Sequence, residues 1–238
     1  MKNFVFLDTE TTGNDLVTDR LFQVCYSFDG KIYSEYFKPL LPISVKAQSI
    51  THVTNKMVAL KSAFAGSKMQ KDLQKILKDN ILVAHNAQFD ICMLSHEGID
   101  VQEYICTLKV ARFLDEKNNI PEYNLQFLRY FLEIEVEAAA HDATGDVIVL
   151  EALFNNLLQQ MTIKYGSVEA AIEKMIEVSK TPSLFKKIPF GKHKGRFLSE
   201  VVVEDKEYLL WLLNEKILKD PEDEDWIFTL QHYLGIKA

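Results

Sequence analysis

Asp8 and Glu10 are two acidic residues one position apart, directly after the apolar run at residues 4–7. Residues two apart in a β-strand point to the same face, so their carboxylates are predicted to project side by side. Adjacent carboxylates repel each other, and one of them takes up a proton unless a cation shares them. An oxygen-rich pair of this kind suits a hard divalent cation such as Mg²⁺ or Mn²⁺. The competing interpretation is a polar strand end, with Gly13 at the following turn.

A third acidic residue, Asp90, ends the segment AHNAQFD at residues 84–90, between a predicted strand and a predicted helix. A carboxylate in the first turn of a helix is also favoured by the helix dipole alone. Taken by itself, Asp90 therefore does not indicate a function.

His141 and Asp146 lie at the entry to the clearest amphipathic helix of the chain. A separation of five residues on one helix corresponds to about 140° of rotation. The two side chains can therefore converge only if His141 lies on the loop before the helix and Asp146 in its first turns. Asp142 and Thr144 are residue types favoured at helix N-caps, which supports this boundary. The alternative is a solvated histidine and a capping aspartate.

The elements that must position these residues follow from hydrophobic periodicity. Short apolar runs indicate buried strands, and Asp29-Gly30 is a strong two-residue hairpin motif. A hairpin followed by alternating helices and strands predicts an α/β fold, with a mixed β-sheet flanked by helices. The predicted strands are 4–7, 21–28, 31–37 and 81–84, and the predicted helices are 69–77, 89–96, 147–161 and 168–178.

Composition sets the class of protein. The 238 residues are 47% hydrophobic and 26% charged, as expected for one or two globular domains. The formal net charge of −7 argues mildly against a nucleic-acid partner. Neither a signal-peptide core nor a run that could span a bilayer is predicted. Cys25, Cys92 and Cys106 include no CxxC pair, which argues against a disulfide framework and predicts reduced thiols in the cytoplasm.

A change in composition divides the chain near residue 165. The segment 186–196 is basic and contains no acidic residue, whereas the segment 220–225 is almost entirely acidic. We predict an N-terminal domain at residues 1–165, a helical linker at 166–182 and a small, mainly helical C-terminal domain at 183–238.

The order of the motifs resembles the DEDDh branch of the proofreading 3′–5′ exonuclease superfamily, which has a ribonuclease H-like fold. The stretches at 105–112 and 124–128 are also similar to that branch. The tail stretch PFGKHKG at 189–195, with the apolar run at 208–213, resembles the small C-terminal domain of the exodeoxyribonuclease X family. The matching motif residues are Asp8 and Glu10 on a first strand, Asp90 in a central segment, and His141 and Asp146 at a late helix.

This resemblance implies a hydrolase that cleaves terminal phosphodiester bonds of DNA, at single-stranded or frayed 3′ ends, and releases 5′-mononucleotides in DNA repair or proofreading. It implies two divalent cations, Mg²⁺ or Mn²⁺, in a two-metal mechanism. Asp8 would bridge both ions, and Glu10 and Asp146 would complete the ion on the side of the attacking water. Asp90 would support the other ion, and His141 would be the general base. The cations would invert the local charge, so the net charge is a poor guide to the partner.

Contacts to the substrate strand are predicted at residues beside these motifs. Leu16 is the candidate apolar wedge, because Asn14 stands where the family usually has an apolar residue. Thr51 stands where the family usually has histidine. In the tail, basic side chains next to Phe190 and Phe197 fit contact with a single strand by charge and stacking, or else form a basic turn on a solvated surface. The predicted substrate contacts are Thr9, Thr11, Leu16, Asn86, Phe89, Lys192, Lys194 and Arg196.

Three alternatives compete with this interpretation. The first is the same chemistry on RNA, since the core motifs do not decide the sugar. The second is a non-catalytic binding or scaffold module, against which the complete set of acidic residues argues. The third is a zinc site formed by His85, Cys92 and His96, for which the sequence offers no fourth ligand.

Overall fold

The computed structural model describes residues 2–136, 143–219 and 223–236. The strands are β1 (Phe4–Thr11), β2 (Leu21–Phe28), β3 (Lys31–Tyr36), β4 (Ile81–Ala84) and β5 (Tyr104–Cys106). The helices are α1 (Val45–Thr51), α2 (Asn55–Val58), α3 (Lys68–Leu77), α4 (Ala87–His96), α5 (Thr107–Leu114), α6 (Leu125–Phe131), α7 (Ala143–Tyr165), α8 (Val168–Lys180), α9 (Leu198–Glu204), α10 (Lys206–Lys219) and α11 (Glu224–Leu234).

The five strands form one mixed sheet in the order β3-β2-β1-β4-β5. Strand β1 lies at its centre, pairing antiparallel with β2 and parallel with β4. The β2–β3 turn places Asp29 at φ 51° and Gly30 at φ 69°, as a two-residue hairpin of the kind predicted requires. The predicted mixed sheet flanked by helices is confirmed, although β1 continues through Thr11 instead of ending at residue 7.

The alternation of side chains along β1 separates two cores. Val5 and Leu7 belong to the core that contains the apolar residues of α3 and α4. Phe6 faces the other side, where its ring lies 5.3 Å from that of Phe154 on α7. Because the period of a strand is two, every second residue after Phe6 points towards α7, and the residues between them point towards α4.

Two compact units divide the chain. The first contains the sheet and helices α1–α7, and apolar residues of α8, such as Ile172 and Met175, pack in the core on the α7 side of its sheet. The second unit comprises residues 115–119 and those from 180 onward. Its core is formed by α9, α10 and α11 around Ile188, Leu209 and Trp226, so the predicted helical character of the tail is confirmed.

Among the described residues, none of the helices combines the length and the apolar composition that crossing a membrane would need.

Candidate active site

Asp8 and Glu10 follow Phe6 at even spacing along β1, so both carboxylates project towards α7. The position directly across from Asp8 on β2 is Cys25, whose Sγ lies 4.0 Å from Thr144 Oγ1 in the first turn of α7. The predicted side-by-side placement of the two carboxylates is therefore found, with both residues inside the strand and partly buried.

Asp146 joins them from α7, which begins at Ala143. The predicted place of Asp146 in the first turn is correct, whereas Thr144 lies inside the helix and is not its N-cap. The alternative cap, Asp142, is outside the described residues, and so is His141.

One carboxylate oxygen from each of Asp8, Glu10 and Asp146 can be chosen so that the three atoms all lie within 4.8 Å of one another. Across the described parts of the chain, no other group of three or more His, Cys, Asp or Glu side chains is arranged in this way. The cluster unites the central strand with a helix more than a hundred positions later in the chain. An acidic cluster with partly buried oxygens has the hard donors that a divalent cation prefers.

The electrostatics of Asp8 indicate how strongly this cluster needs a cation. Burial, and then the charges of Asp90, Glu10 and Asp146, raise the pKa of the Asp8 carboxyl well above its usual range. The protein alone therefore disfavours the fully ionised cluster, and a divalent cation reverses that preference.

Asp90 approaches β1 from the opposite side. It lies in the first turn of α4 and is only 4% exposed. The backbone N–H of Thr9 donates to Asp90 Oδ1 at 3.1 Å, and the Thr9 hydroxyl donates to the same oxygen at 2.7 Å. Burial raises the pKa of Asp90 to about 7, even though the two hydrogen bonds from Thr9 act to lower it.

The chain reaches this position through a sharp turn between β4 and α4. Asn86 adopts a left-handed conformation, with φ 65° and ψ 46°, directly before the helix. Because β4 is parallel to β1 and ends at Ala84, α4 starts beside the segment of β1 that carries the acidic residues. The local fold therefore places Asp90 against Thr9.

Gln126 contacts the cluster from α6, which the sequence reasoning did not identify. Its Nε2 donates to Asp146 Oδ1 at 2.6 Å. No local motif distinguishes Gln126 from an ordinary polar helix residue, so only the packing of α6 on α7 reveals this contact.

Several of the predicted substrate contacts near β1 and α4 have local structural roles. The hydroxyl of Thr11 donates to the carbonyl oxygen of Gly13 at 2.6 Å. Leu16 and Phe89 are partly buried against the core on the α4 side, and the carbonyl oxygen of Leu16 accepts a hydrogen bond from Cys92 Sγ at 3.4 Å. Asn86 is exposed.

The loop after β1 is held by its own acidic side chains. Asp19 accepts hydrogen bonds from the Thr12 hydroxyl at 2.6 Å and from the backbone N–H of Asp15 at 2.9 Å. A Cβ atom on Gly13 would lie 2.4 Å from Asp19 Oδ2, so a larger residue here would displace the Asp19 carboxylate from these hydrogen bonds. The hydroxyl of Thr51, in place of the family's usual histidine, donates within its own helix to the carbonyl oxygen of Ala47 at 3.0 Å.

The predicted tail contacts lie in the second unit, where acidic residues pair with most of the cations. Lys192 Nζ lies 2.6 Å from Asp205 Oδ2, and Arg196 pairs with Glu204 at 2.8 Å. Hydrogen bonds from Lys192 and His193 lower the pKa of Asp205 to about 2. The side chain of Lys194 is exposed and has no ion pair within the described part of the chain.

The zinc alternative does not match the arrangement of His85. Its Nε2 donates to the carbonyl oxygen of Tyr123 at 2.7 Å, and its Nδ1 lies 2.9 Å from the Thr107 hydroxyl. Both ring nitrogens are therefore used in hydrogen bonds. Burial lowers the pKa of His85 to about 4, as expected for a neutral structural histidine.

Comparison with known proteins places the chain among nucleases. A family model described as "Exonuclease" matches residues 5–154, and one described as "Exodeoxyribonuclease X-like C-terminal" matches residues 188–216. Exodeoxyribonuclease 10 of Escherichia coli strain K12 is 30% identical over 234 residues, which cover 96% of this chain and 97% of that protein.

Solved structures agree with these matches. Exonuclease X in complex with 5′ overhanging duplex DNA is 26% identical, with a TM-score of 0.57, covering 74% of this chain and 99% of that one. Escherichia coli exonuclease I in complex with a dA16 oligonucleotide, at 19% identity and a TM-score of 0.54, covers 67% of this chain and 41% of that one and shares the fold.

The resemblance noted from the motifs is thus confirmed over almost the whole length of a curated relative. With more than half of its residues matched by one family model, and the exodeoxyribonuclease X-like region following in the tail, this chain belongs to the exonuclease family.

Proposed function

We propose that the chain is a 3′–5′ exonuclease of DNA that uses Mg²⁺ or Mn²⁺ and releases 5′-mononucleotides from single-stranded or frayed 3′ ends. The observation that carries the proposal is the Asp8, Glu10 and Asp146 cluster, whose ligand oxygens lie within 4.8 Å of one another. DNA is the proposed substrate because the relative that matches nearly the full length is an exodeoxyribonuclease. A role in DNA repair or proofreading, in the cytoplasm, agrees with the family and with three cysteines that form no disulfide bond.

The carboxylates divide into two groups with different tasks. Asp8, Glu10 and Asp146 would hold a divalent cation, and Asp90, fixed by Thr9 and near enough to Asp8 to raise its pKa, would support the second ion that the family resemblance implies. Bound divalent cations polarise water and stabilise the charge that develops on the scissile phosphate. His141 would take the proton from the attacking water, since a histidine near its ordinary pKa is largely neutral at working pH.

The rest of the chain would bind the strand. Leu16, on the loop after β1, and Asn86 and Phe89, at the start of α4, are proposed contacts for the terminal nucleotides. Lys194 is the proposed phosphate contact of the tail. We propose residues 1–165 as the exonuclease domain, 166–182 as a linker and 183–238 as a small DNA-contacting domain, in agreement with the positions of the two family matches.

The decisive experiment follows the digestion of one single-stranded DNA oligonucleotide, labelled at either end, with Mg²⁺, Mn²⁺ or EDTA. We expect a 3′ label to be released at once as a mononucleotide and a 5′ label to appear in a ladder of shortening products, with EDTA stopping both. Asp8→Ala should lose hydrolysis, whereas Asp79→Ala, at an exposed acid on the turn after α3, should keep it.

Two results would contradict the proposal. The first is metal-dependent hydrolysis that persists in Asp8→Ala. The second is faster digestion of a matched RNA oligonucleotide, which would assign the same site to RNA. Thermal unfolding without metal serves as the folding control. Asp8→Ala should be at least as stable as the wild type, because it removes a buried carboxyl group whose ionisation burial and the neighbouring acids disfavour.

A further inference from the structure

Gln126 is built into a rigid position beside the acidic cluster. It is the second residue of α6, whose N-cap Asn124 accepts a hydrogen bond from the backbone N–H of Phe127 at 2.8 Å. Leu128, two positions later, is fully buried in the same core as the apolar side of α7. The helix therefore has little freedom to turn Gln126 away from Asp146.

The contact joins a neutral donor to a proposed metal ligand. Gln126 Nε2 donates to Asp146 Oδ1 at 2.6 Å, which restrains the plane of the carboxylate through one of its two oxygens. Repulsion from Asp8 and Glu10 favours rotation of Asp146 away from the cluster, and the hydrogen bond from Gln126 opposes that rotation. An amide does this without adding a positive charge that would compete with a cation, as a lysine or arginine would.

The other end of the same amide argues against a purely stabilising role. Gln126 Oε1 is buried, and none of the described residues donates a hydrogen bond to it. A buried carbonyl oxygen without a donor is unfavourable for folding, so an apolar side chain of the same size would suit this place better. The hydrogen bond from Nε2 to Asp146 therefore explains why an amide, instead of an apolar side chain, occupies this position.

We propose that Gln126 is a positioning residue that holds Asp146 in the orientation that binds a divalent cation. The expected effect on DNA cleavage rests on the proposed function. The expected effect on metal affinity rests only on the acidic cluster. Groups that orient a metal ligand commonly change metal affinity or activity by about 10–100-fold when they are removed.

The test uses the full-length, metal-free protein and Mn²⁺ alone as the probe. Gln126→Met keeps the volume and removes the donor, and Gln160→Met does the same at an exposed glutamine of α7 whose amide contacts only Asn156 among the described residues. By titration calorimetry we expect the Mn²⁺ dissociation constant to rise about 10–100-fold in Gln126→Met and to stay unchanged in Gln160→Met. The melting temperature without metal should not fall in either variant.

A double-mutant cycle separates positioning from general damage. If Gln126 acts through Asp146, then Gln126→Met should cause no further loss of Mn²⁺ affinity in a protein that already carries Asp146→Asn. On DNA, Gln126→Met should lower kcat about 10–100-fold and leave KM for the oligonucleotide unchanged.

The inference would be overturned if Gln126→Met bound Mn²⁺ as tightly as the wild type. It would also be overturned if Gln126→Met still weakened Mn²⁺ binding in the Asp146→Asn background, or if the wild type did not bind Mn²⁺. A wild-type protein that binds Mn²⁺ without degrading DNA would instead refute the proposed function, and the affinities would still decide the role of Gln126.

Discussion

The hydroxyl of Thr9 donates to Asp90 Oδ1 at 2.7 Å, across the face of β1 opposite to the one that carries Asp8 and Glu10. Thr9, which lies between Asp8 and Glu10 in the strand, thus donates hydrogen bonds to the fourth acidic residue, Asp90. A three-residue stretch of one strand therefore organises acidic groups on both of its faces, because adjacent residues of a strand point in opposite directions.

Thr9→Val tests whether this hydrogen bond orients Asp90 or whether Thr9 contacts substrate, as the sequence suggested. Valine keeps the shape and removes one of the two donors to Asp90 Oδ1. We expect turnover on a DNA oligonucleotide to fall about tenfold, the loss of one hydrogen bond to a charged group, with KM unchanged. Thr162→Val on α7 is the matched control. A rise in KM with unchanged turnover would assign Thr9 to substrate binding instead.

Asp90→Asn is expected to change how the stability of the metal-free protein depends on pH. Burial raises the pKa of Asp90 to about 7, so between the ordinary value near 3.9 and 7 the folded state holds a proton that the unfolded state releases. Stability from this group therefore falls as the pH rises through that window. Denaturant unfolding in EDTA should show Asp90→Asn more stable than the wild type at pH 8 and nearly equal to it at pH 4. An equal difference at both values would refute the shift.

His85 should give the opposite dependence. Burial lowers its pKa to about 4, from an ordinary value near 6.5, so the unfolded state binds a proton first as the pH falls. Stability from this group is complete above pH 6.5 and is lost as the pH falls to 4, by roughly 3 kcal/mol in all. His85→Gln should be less stable at pH 7 but should lose less on acidification, whereas His96→Gln, an exposed site, should behave as the wild type. Parallel acid curves for His85→Gln and the wild type would contradict this role.

Lys194 and Lys192 should differ in their effect on DNA binding, although both lie in the basic segment 186–196. Lys194 is exposed, whereas Lys192 is already paired with Asp205. In the inactive Asp8→Ala protein, fluorescence anisotropy with single-stranded DNA should show weaker binding for Lys194→Ala. Its salt dependence, the slope of log K against log salt, should be smaller by about 0.7, the value for one phosphate contact of a single strand.

Two controls interpret this result. Lys71→Ala, on the exposed side of α3, should leave both the affinity and the salt slope unchanged. Lys192→Ala should mainly remove an ion pair of the second unit and lower its thermal stability. If the wild type and Lys194→Ala had equal salt slopes, Lys194 would not contact a phosphate.

Much of the sheet could be predicted because its strands have strong local patterns. The runs that form β2 and β4, and the Asp29-Gly30 turn, are specified by apolar content and by a turn that only certain residues tolerate. The end of β1 was predicted too early because acidic residues are rare in buried strands. Here they continue the strand, since β2 still pairs with it.

The parts that could not be predicted depend on contacts between distant segments. The hydrogen bond from Gln126 to Asp146 exists only because α6 packs on α7. The tail segment 186–196 contains no acidic residue, yet Glu204 and Asp205 fold back onto its cations. Counting charges along residues 186–196 alone therefore overestimates the positive charge that is not paired with an acidic residue.

The division of the cluster between β1 and α7 also bears on synthesis of the protein. Translation produces Asp8 and Glu10 more than a hundred residues before Asp146. A nascent chain on the ribosome therefore cannot assemble the acidic cluster until α7 emerges, and a chain that stops before that codon lacks one of its three carboxylates.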